Sequence, residues 1–202
     1  MIQYLFPYWG PLVFETQIDK EFVNLLLEKG QETTVDARKY LAGQIDKEFY
    51  YENYNEWFIP KFSEYIESYI ETARDYTTSL PKHMAQGWHL ETLWINYQRA
   101  NEYNPPHDHS GDLSFVIYLQ VPEEIVKENE ETRHEHNNEG PGMITFWFGL
   151  SMPFSINMCS KMPSAGDIFI FPAWLPHYVN GFKSDVERIS VSGNIKFKDD
   201  KI

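Results

Sequence analysis

Apolar side chains recur along this chain with two different periods, and the change from one to the other near residue 88 divides it. Between Lys20 and Lys29, Phe22, Val23, Leu25, Leu26 and Leu27 form a stripe at helical spacing. Asp19 stands where an N-cap belongs and Gly30 where a helix stops, so a helix is predicted over 20–29. From about Tyr54 to Thr77, Trp57, Phe58, Phe62, Tyr65, Ile66, Tyr69 and Ile70 repeat at three- and four-residue intervals. That predicts a second helical stretch, kinked or restarted at Pro60. From His89 onward the texture becomes short β-branched and aromatic runs separated by Gly, Pro and Asn: Glu91–Gln98, Leu113–Val121, Met143–Gly149, Phe154–Ser160, Asp167–Phe171 and Val186–Phe197. Strands spaced in this way predict a sandwich or a barrel.

The last run carries the most information, because its two faces differ. Arg188, Ser190, Ser192 and Asn194 fall on one side, and Ile189, Val191 and Ile195 on the other. If the helices cover the sheet's outer surface, the apolar side packs beneath them and the polar side looks into the barrel, which implies a ligand. Asn180-Gly181, a turn-forming pair, reads as the hairpin leading into this strand. Between two predicted strands, 123–142 is polar and mostly acidic, and is expected to be an insertion, lid or mobile connection.

Length and composition fit one globular domain over 1–202, with a helical buttress over 1–88 and a β core over 89–202. The 202 residues, 42% apolar and 16% aromatic, suffice for a full core. A formal net charge of −13 and the lack of a Lys/Arg stripe disfavour nucleic acid as a partner. Cys159 is the only cysteine, so no intrachain disulfide is expected. Met1 to Pro7 shows no basic leader, and no segment approaches the roughly 20 apolar residues of a membrane span. A soluble, cytoplasmic protein without membrane partners is expected.

Three histidines and an arginine carry the candidate chemistry. Residues two apart on an extended strand project to one side, so His107 and His109 can reach one metal ion while Asp108 faces away. His177, delivered just after the run Gly166–Pro172, adds a third imidazole and leaves coordination positions open for substrate and dioxygen. Arg188 suits a carboxylate, since its planar fork donates two parallel bonds and Ser190 can add a third. The bland alternative for Arg188 is a surface ion pair. His83 and His89 are read as hydrogen-bonded structural residues. His134-Glu135-His136 repeats the spacing of the first pair but sits in the polar stretch, and is read as solvated loop or a lid-borne contact. Trp147, Phe148, Trp174 and Tyr178 are read as core aromatics, with an apolar cleft as the alternative.

Together, Trp94-Ile95-Asn96, Pro106-His107-Asp108-His109, Leu113–Leu119, Gly166–Pro172, His177 and Arg188-Ile189-Ser190 resemble the motifs of 2-oxoglutarate/Fe(II)-dependent dioxygenases. The resemblance is to the short group found in bacteria and in phages of marine cyanobacteria, and runs from about Trp94 to Asn194. The first ninety residues match only in helical texture and in Leu5-Phe6-Pro7. The resemblance implies a double-stranded β-helix, a cupin-like jelly-roll barrel buttressed by the N-terminal helices. It also implies Fe(II) held by His107, His109 and His177, with 2-oxoglutarate as cosubstrate. The far carboxylate would sit on Arg188 beside Ser190. Asn96 and Tyr118 fall where relatives contact 2-oxoglutarate, and Gln98 competes with Asn96 for that role. Most such enzymes carry a carboxylate where His109 stands. A neutral ligand there makes the metal centre more positive, altering its potential and tightening its hold on anionic 2-oxoglutarate. Asp112, beyond the Ser110-Gly111 turn, is the alternative ligand.

The implied reaction is oxidative decarboxylation of 2-oxoglutarate with dioxygen, coupled to hydroxylation of a peptide or small-molecule substrate. No side-chain acid or base is needed beyond the metal ligands. Two other readings remain open: a 2-oxoglutarate-independent dioxygenase of the three-His cupin type, and a non-catalytic cupin-like metal- or ligand-binding module. Arg188 and Ser190 discriminate, because only the first reading requires an inward carboxylate clamp.

Overall fold

The computed structural model describes residues 10–76, 87–132 and 139–198. Helix α1 spans Lys20–Glu32, and the Asp19 carboxylate accepts from the Phe22 N–H at 2.7 Å as its N-cap. The helix runs through Gly30 instead of stopping there. It ends at Thr33, whose backbone N–H and hydroxyl both donate to the Gly30 carbonyl, at 3.3 and 2.8 Å. Gly30 answers a packing need, since a Cβ there would stand 2.5 Å from Cδ1 of Ile95 on the sheet below. The second helical stretch divides as expected into α2 (Tyr54–Trp57) and α3 (Ile59–Tyr76). Pro60 falls in the first turn of α3, where its missing N–H has no intrahelical partner to lose.

Eleven strands follow in chain order among the described residues: β1 (Phe14–Gln17), β2 (Val35–Asp36), β3 (Glu48–Tyr50), β4 (Trp88–Gln98), β5 (Asn104–His107), β6 (Leu113–Gln120), β7 (Ile144–Trp147), β8 (Met158–Lys161), β9 (Asp167–Pro172), β10 (His177–Val179) and β11 (Arg188–Phe197). They form a seven-stranded antiparallel sheet, β1-β9-β6-β11-β4-β3-β2, and a four-stranded one, β5-β10-β7-β8. The first 88 residues therefore supply β1, β2 and β3 to the larger sheet as well as the helical buttress. Asn180-Gly181 is not a hairpin turn. β10 pairs with β5 and β7 while β11 pairs with β4 and β6, so this dipeptide begins a crossing from one sheet to the other.

The polar stretch after β6 also differs from expectation, because Glu123–Thr132 is a helix, α4. Only Ile125 and Asn129 of it are buried, so it shows almost no apolar stripe. Its Glu128 carboxylate accepts from the backbone N–H groups of Lys183 and Ser184 at 2.9 Å each, tying the helix to the β10–β11 crossing.

Strand parity decides what each sheet face meets. Outward, Leu93, Ile95, Phe115, Ile117, Val191 and Ile195 pack against Phe22, Leu26, Phe62 and Ile66 of α1 and α3. The Phe62 and Phe115 rings lie 4.5 Å apart. Gly193 leaves room for that packing, as a Cβ there would come within 2.6 Å of the Phe115 ring. Inward, Val116 and Tyr118 meet Ile144, Phe146, Phe171 and Val179, closing one side of a barrel between the two sheets. No helix among the described residues is long and apolar enough to cross a membrane.

Candidate functional site

The remaining side of the barrel is a cavity of about 230 Å³, lined by His107, His109, His177, Arg188, Ser190, Asn96 and Tyr118 together. His107 ends β5 and His177 opens β10, and the two are directly opposite in the register of that antiparallel pair. His109 lies two residues past the end of β5, anchored by its backbone N–H to the Ala173 carbonyl at 2.9 Å. One nitrogen from each ring falls within 4.8 Å of the others. Asp108, just past the end of β5, is exposed at the cavity's edge and stands outside the three-imidazole group.

The rings are oriented by their own chain. Nδ1 of His107 donates to the Pro105 carbonyl at 2.7 Å, and Nδ1 of His177 donates to the Leu175 carbonyl at 3.0 Å. A carbonyl can only accept, so each Nδ1 carries the proton and each Nε2 presents a lone pair. Burial holds all three imidazoles below their ordinary pKa: His107 is lowered, His177 falls to about 3 and His109 to about 2, with the neighbouring rings adding to the effect on the latter two. Neutral imidazoles are the ligand form. Nε2 of His109 and Nε2 of His177 are 3.3 Å apart. Two nitrogens each about 2.1 Å from one ion, at angles of about 90–110°, are separated by about 3.0–3.4 Å. The donor set therefore fits a metal. Asp112 is placed elsewhere, its carboxylate accepting from the Phe197 N–H at 2.8 Å, outside the three-imidazole group.

Arg188 begins β11 and is buried, 2% exposed. Its guanidinium donates to the Gly142 carbonyl at 2.5 Å and to Oε1 of Gln98, and lies 5.4 Å from the Tyr118 ring centroid. Among the described residues no carboxylate pairs with it, and its Nε has no partner. Burial lowers its pKa, with Tyr118 opposing. A buried cation that keeps its charge without an anion is expensive unless a ligand supplies one. Beside it stand two more unsatisfied buried atoms, the Tyr118 hydroxyl and Oδ1 of Asn96. Burial raises the Tyr118 phenol to about 12, so it remains a donor. Asn96 and Tyr118 flank Ser190 in register, and Nδ2 of Asn96 donates to Oγ of Ser190 at 3.4 Å. Gln98 is absent from the cavity wall, and bridges Arg188 to the Glu102 carbonyl at 2.6 Å.

Not everything near the site was anticipated. Glu48 of β3 lines the same cavity, and burial, then Glu102 and Asp36, push its carboxyl up to about 7. It sits in the half of the chain whose texture reads as helical, and the three-residue strand that carries it is too short to show a period. Of the four aromatics considered as core or cleft, Trp147 and Phe148 line a second, mostly apolar cavity separate from the histidine site, and Trp174 and Tyr178 line neither. Trp147 pairs with Tyr178 and Phe148 with Trp174 on the opposite side of the smaller sheet, and Phe148 and Trp174 are exposed. His89 is exposed on β4. His83, His134-Glu135-His136 and Leu5-Phe6-Pro7 lie outside the described residues.

Comparison with known proteins places this geometry in context. A family model described as "Putative 2OG-Fe(II) oxygenase" matches residues 92–194, about half of the chain. No curated protein matches in sequence. Among solved structures, a 2OG-Fe(II) oxygenase family oxidoreductase from Burkholderia pseudomallei is similar over 91% of this chain and 84% of its own, at 9% identity and a TM-score of 0.58. A prolyl-4-hydroxylase from Pseudomonas putida is similar over 93% of both chains, at 11% identity and a TM-score of 0.55. HygX from Streptomyces hygroscopicus, solved with nickel, 2-oxoglutarate and hygromycin B, is similar over 94% of this chain and 83% of its own, at 10% identity and a TM-score of 0.55. At such identities the likeness is one of fold, the double-stranded β-helix.

Proposed function

The chain belongs to the 2-oxoglutarate/iron(II) oxygenase family, and on that premise we propose that it hydroxylates a small-molecule or peptide substrate at a three-histidine iron centre. The observation that carries the reading is the convergence, in one cavity, of three neutral imidazoles and a buried guanidinium without an anion. His107, His109 and His177 would hold the metal. Arg188 would take the far carboxylate of 2-oxoglutarate, with Ser190, the Tyr118 hydroxyl and Asn96 completing its hydrogen bonds. Residues 1–88 buttress one oxygenase unit with the barrel over 89–202. The solved relatives of this fold span both substrate classes, since one is a prolyl hydroxylase and another was solved with hygromycin B.

When bound, the iron would let dioxygen act as the oxidant while 2-oxoglutarate is consumed as the sacrificial reductant, one oxygen atom ending in succinate as carbon dioxide leaves and the other entering a C–H bond of the substrate. This chain's residues do the rest by placement. The carbonyls of Pro105 and Leu175 fix two ring tautomers, so the ligating lone pairs face one point. Gly142 and Gln98 hold the guanidinium plane where a carboxylate can meet its fork. The Phe146 and Phe171 rings, 5.8 and 4.8 Å from the His177 ring, keep water from one flank of the centre.

Anaerobic titration with iron(II) and 2-oxoglutarate tests this directly. A visible charge-transfer band should appear, and His177→Ala should abolish it along with iron loading. Admission of air with a turnover substrate should release succinate. Normal iron loading in the variant would overturn the ligand assignment, and oxygen uptake independent of 2-oxoglutarate would favour the cupin-type alternative.

A further inference from the structure

One row of side chains crosses the inner face of the larger sheet: Glu48 on β3, Asn96 on β4, Ser190 on β11 and Tyr118 on β6, each opposite the next in register. Directly opposed residues in antiparallel strands share a face, and all four line the cavity. Strands lie about 4.8 Å apart, so β3 is about 10 Å from the strand carrying Arg188. The cavity thus has two chemically opposite ends. At the Arg188 end is a buried cation without an anion. At the other is Glu48, 1% exposed, whose Oε2 is buried without a partner.

Arg38 attracts the Glu48 charge from a distance, the weakest of the influences on it, and among the described residues no cation forms an ion pair with its carboxylate. Glu102 and Asp36 act on it with like charge. Of the cations nearby in sequence, Arg38 donates to both carboxylate oxygens of Asp36, at 3.0 and 2.6 Å, Lys39 lies over the Tyr40 ring at 5.4 Å, and Lys47, the residue before Glu48, forms no ion pair with it. Gly43 packs directly against the Glu48 carboxylate. A Cβ there would collide with Oε1 of Glu48 and stand 2.7 Å from Oδ1 of Asn104, a second cavity-lining acceptor. The Trp94 ring, two residues along β4 from Asn96 on the same face, also lines the cavity, 6.0 Å from the His109 ring.

We propose that Glu48 is the specificity-determining residue of this site, and that it receives a cationic nitrogen, an ammonium or guanidinium, of the molecule to be oxidised. The inference rests on the oxygenase reading above and names its substrate class. A second carboxylate-bearing molecule is disfavoured at this end by Glu48 itself, so 2-oxoglutarate and substrate sort by charge, anion toward Arg188 and cation toward Glu48. A neutral substrate leaves the Glu48 carboxylate buried and unmatched, which is how a polar site rejects an analogue lacking the recognised group.

The test uses the full-length protein loaded with nickel(II), which supports no turnover, and 2-oxoglutarate. Calorimetric titrations compare the Nα-acetyl amides of lysine, arginine, norleucine and glutamate. Wild type should bind the lysine or arginine probe at least tenfold more tightly than norleucine, and glutamate weakest. Glu48→Gln should erase that preference, and Glu48→Asp, which keeps the charge, should retain it at reduced affinity. Thermal melts of both variants establish that they fold. A preference that survives in Glu48→Gln, or a wild type that binds none of the probes or norleucine equally well, overturns the proposal. A parallel titration with 2-oxoglutarate alone separates the two readings: its failure to bind strikes the cosubstrate assignment, whereas normal 2-oxoglutarate binding with unchanged probe preference strikes Glu48 alone.

Discussion

On the helix side of β4, β6 and β11 the sheet presents Leu93, Ile95, Phe115, Ile117, Val191 and Ile195, packed against α1 and α3. On the barrel side the same strands present Asn96, Tyr118, Arg188 and Thr92, and β3 adds Glu48. Among the described residues, the five buried side-chain atoms without a hydrogen-bond partner all belong to those barrel-side residues. Since buried polar groups in folded proteins are ordinarily satisfied, the contrast separates a face that folds the chain from a face shaped for something it does not itself contain. The helix side contributes stability. The barrel side gives up some of it, and four of the five unsatisfied groups, those of Glu48, Asn96, Tyr118 and Arg188, line the cavity and describe what would fill it.

The contrast is sharpest when one side is changed and the other watched. Phe62→Ala, which empties the space against Phe58 and Phe115, should destabilise the fold by about 3–5 kcal/mol in urea melts. Its 2-oxoglutarate affinity, measured well below the transition, should be unchanged. A large fall in affinity at unchanged stability would break the division of labour. Arg188→Met works in the opposite sense. It should weaken 2-oxoglutarate on the order of 100-fold while raising the stability of the ligand-free protein by about 1–4 kcal/mol, because an uncompensated buried charge is replaced by an apolar chain of similar length. A loss of ligand-free stability would mean that the guanidinium is structurally matched after all.

Glu48→Gln gives the smallest effect and one with a pH signature. The folded chain holds the Glu48 proton more tightly than the unfolded chain, with Glu102 and Asp36 raising its pKa and Arg38 lowering it after burial has acted. Ionisation therefore costs stability as pH rises from the ordinary carboxylate range through about 7. The glutamine variant should be more stable than wild type by roughly 1–3 kcal/mol at about pH 8, with the gap closing on acidification. Parallel stability curves across that window would remove Glu48 from the set of costly groups.

Much of this was legible because strand parity and ligand spacing are local. The alternation Arg188, Ser190, Ser192, Asn194 against Ile189, Val191, Ile195 assigned both faces of β11, and the spacing of His107 and His109 with a later His177 brought the three rings to one cavity. What escaped has physical reasons. β2 and β3 are two and three residues long, too short for any period, so Glu48 could not be placed. Helix α4 buries two side chains, which leaves no stripe to read. Gly30 looked like a helix stop because a glycine that permits close approach of Ile95 and one that ends a helix are the same letter. Asn180-Gly181 signals a reversal of direction, but which sheet receives the next strand depends on pairings distant in sequence.

His107 and His177 each lean on the carbonyl two residues earlier in the chain, while His109 has no such tether and instead meets Nε2 of His177. Two of the three swivels are thus locked by short covalent reach, within a pair of facing strands, before any ion arrives. The conformational entropy of assembling a three-pronged claw is concentrated in one imidazole, and an incoming metal has only that last finger to close.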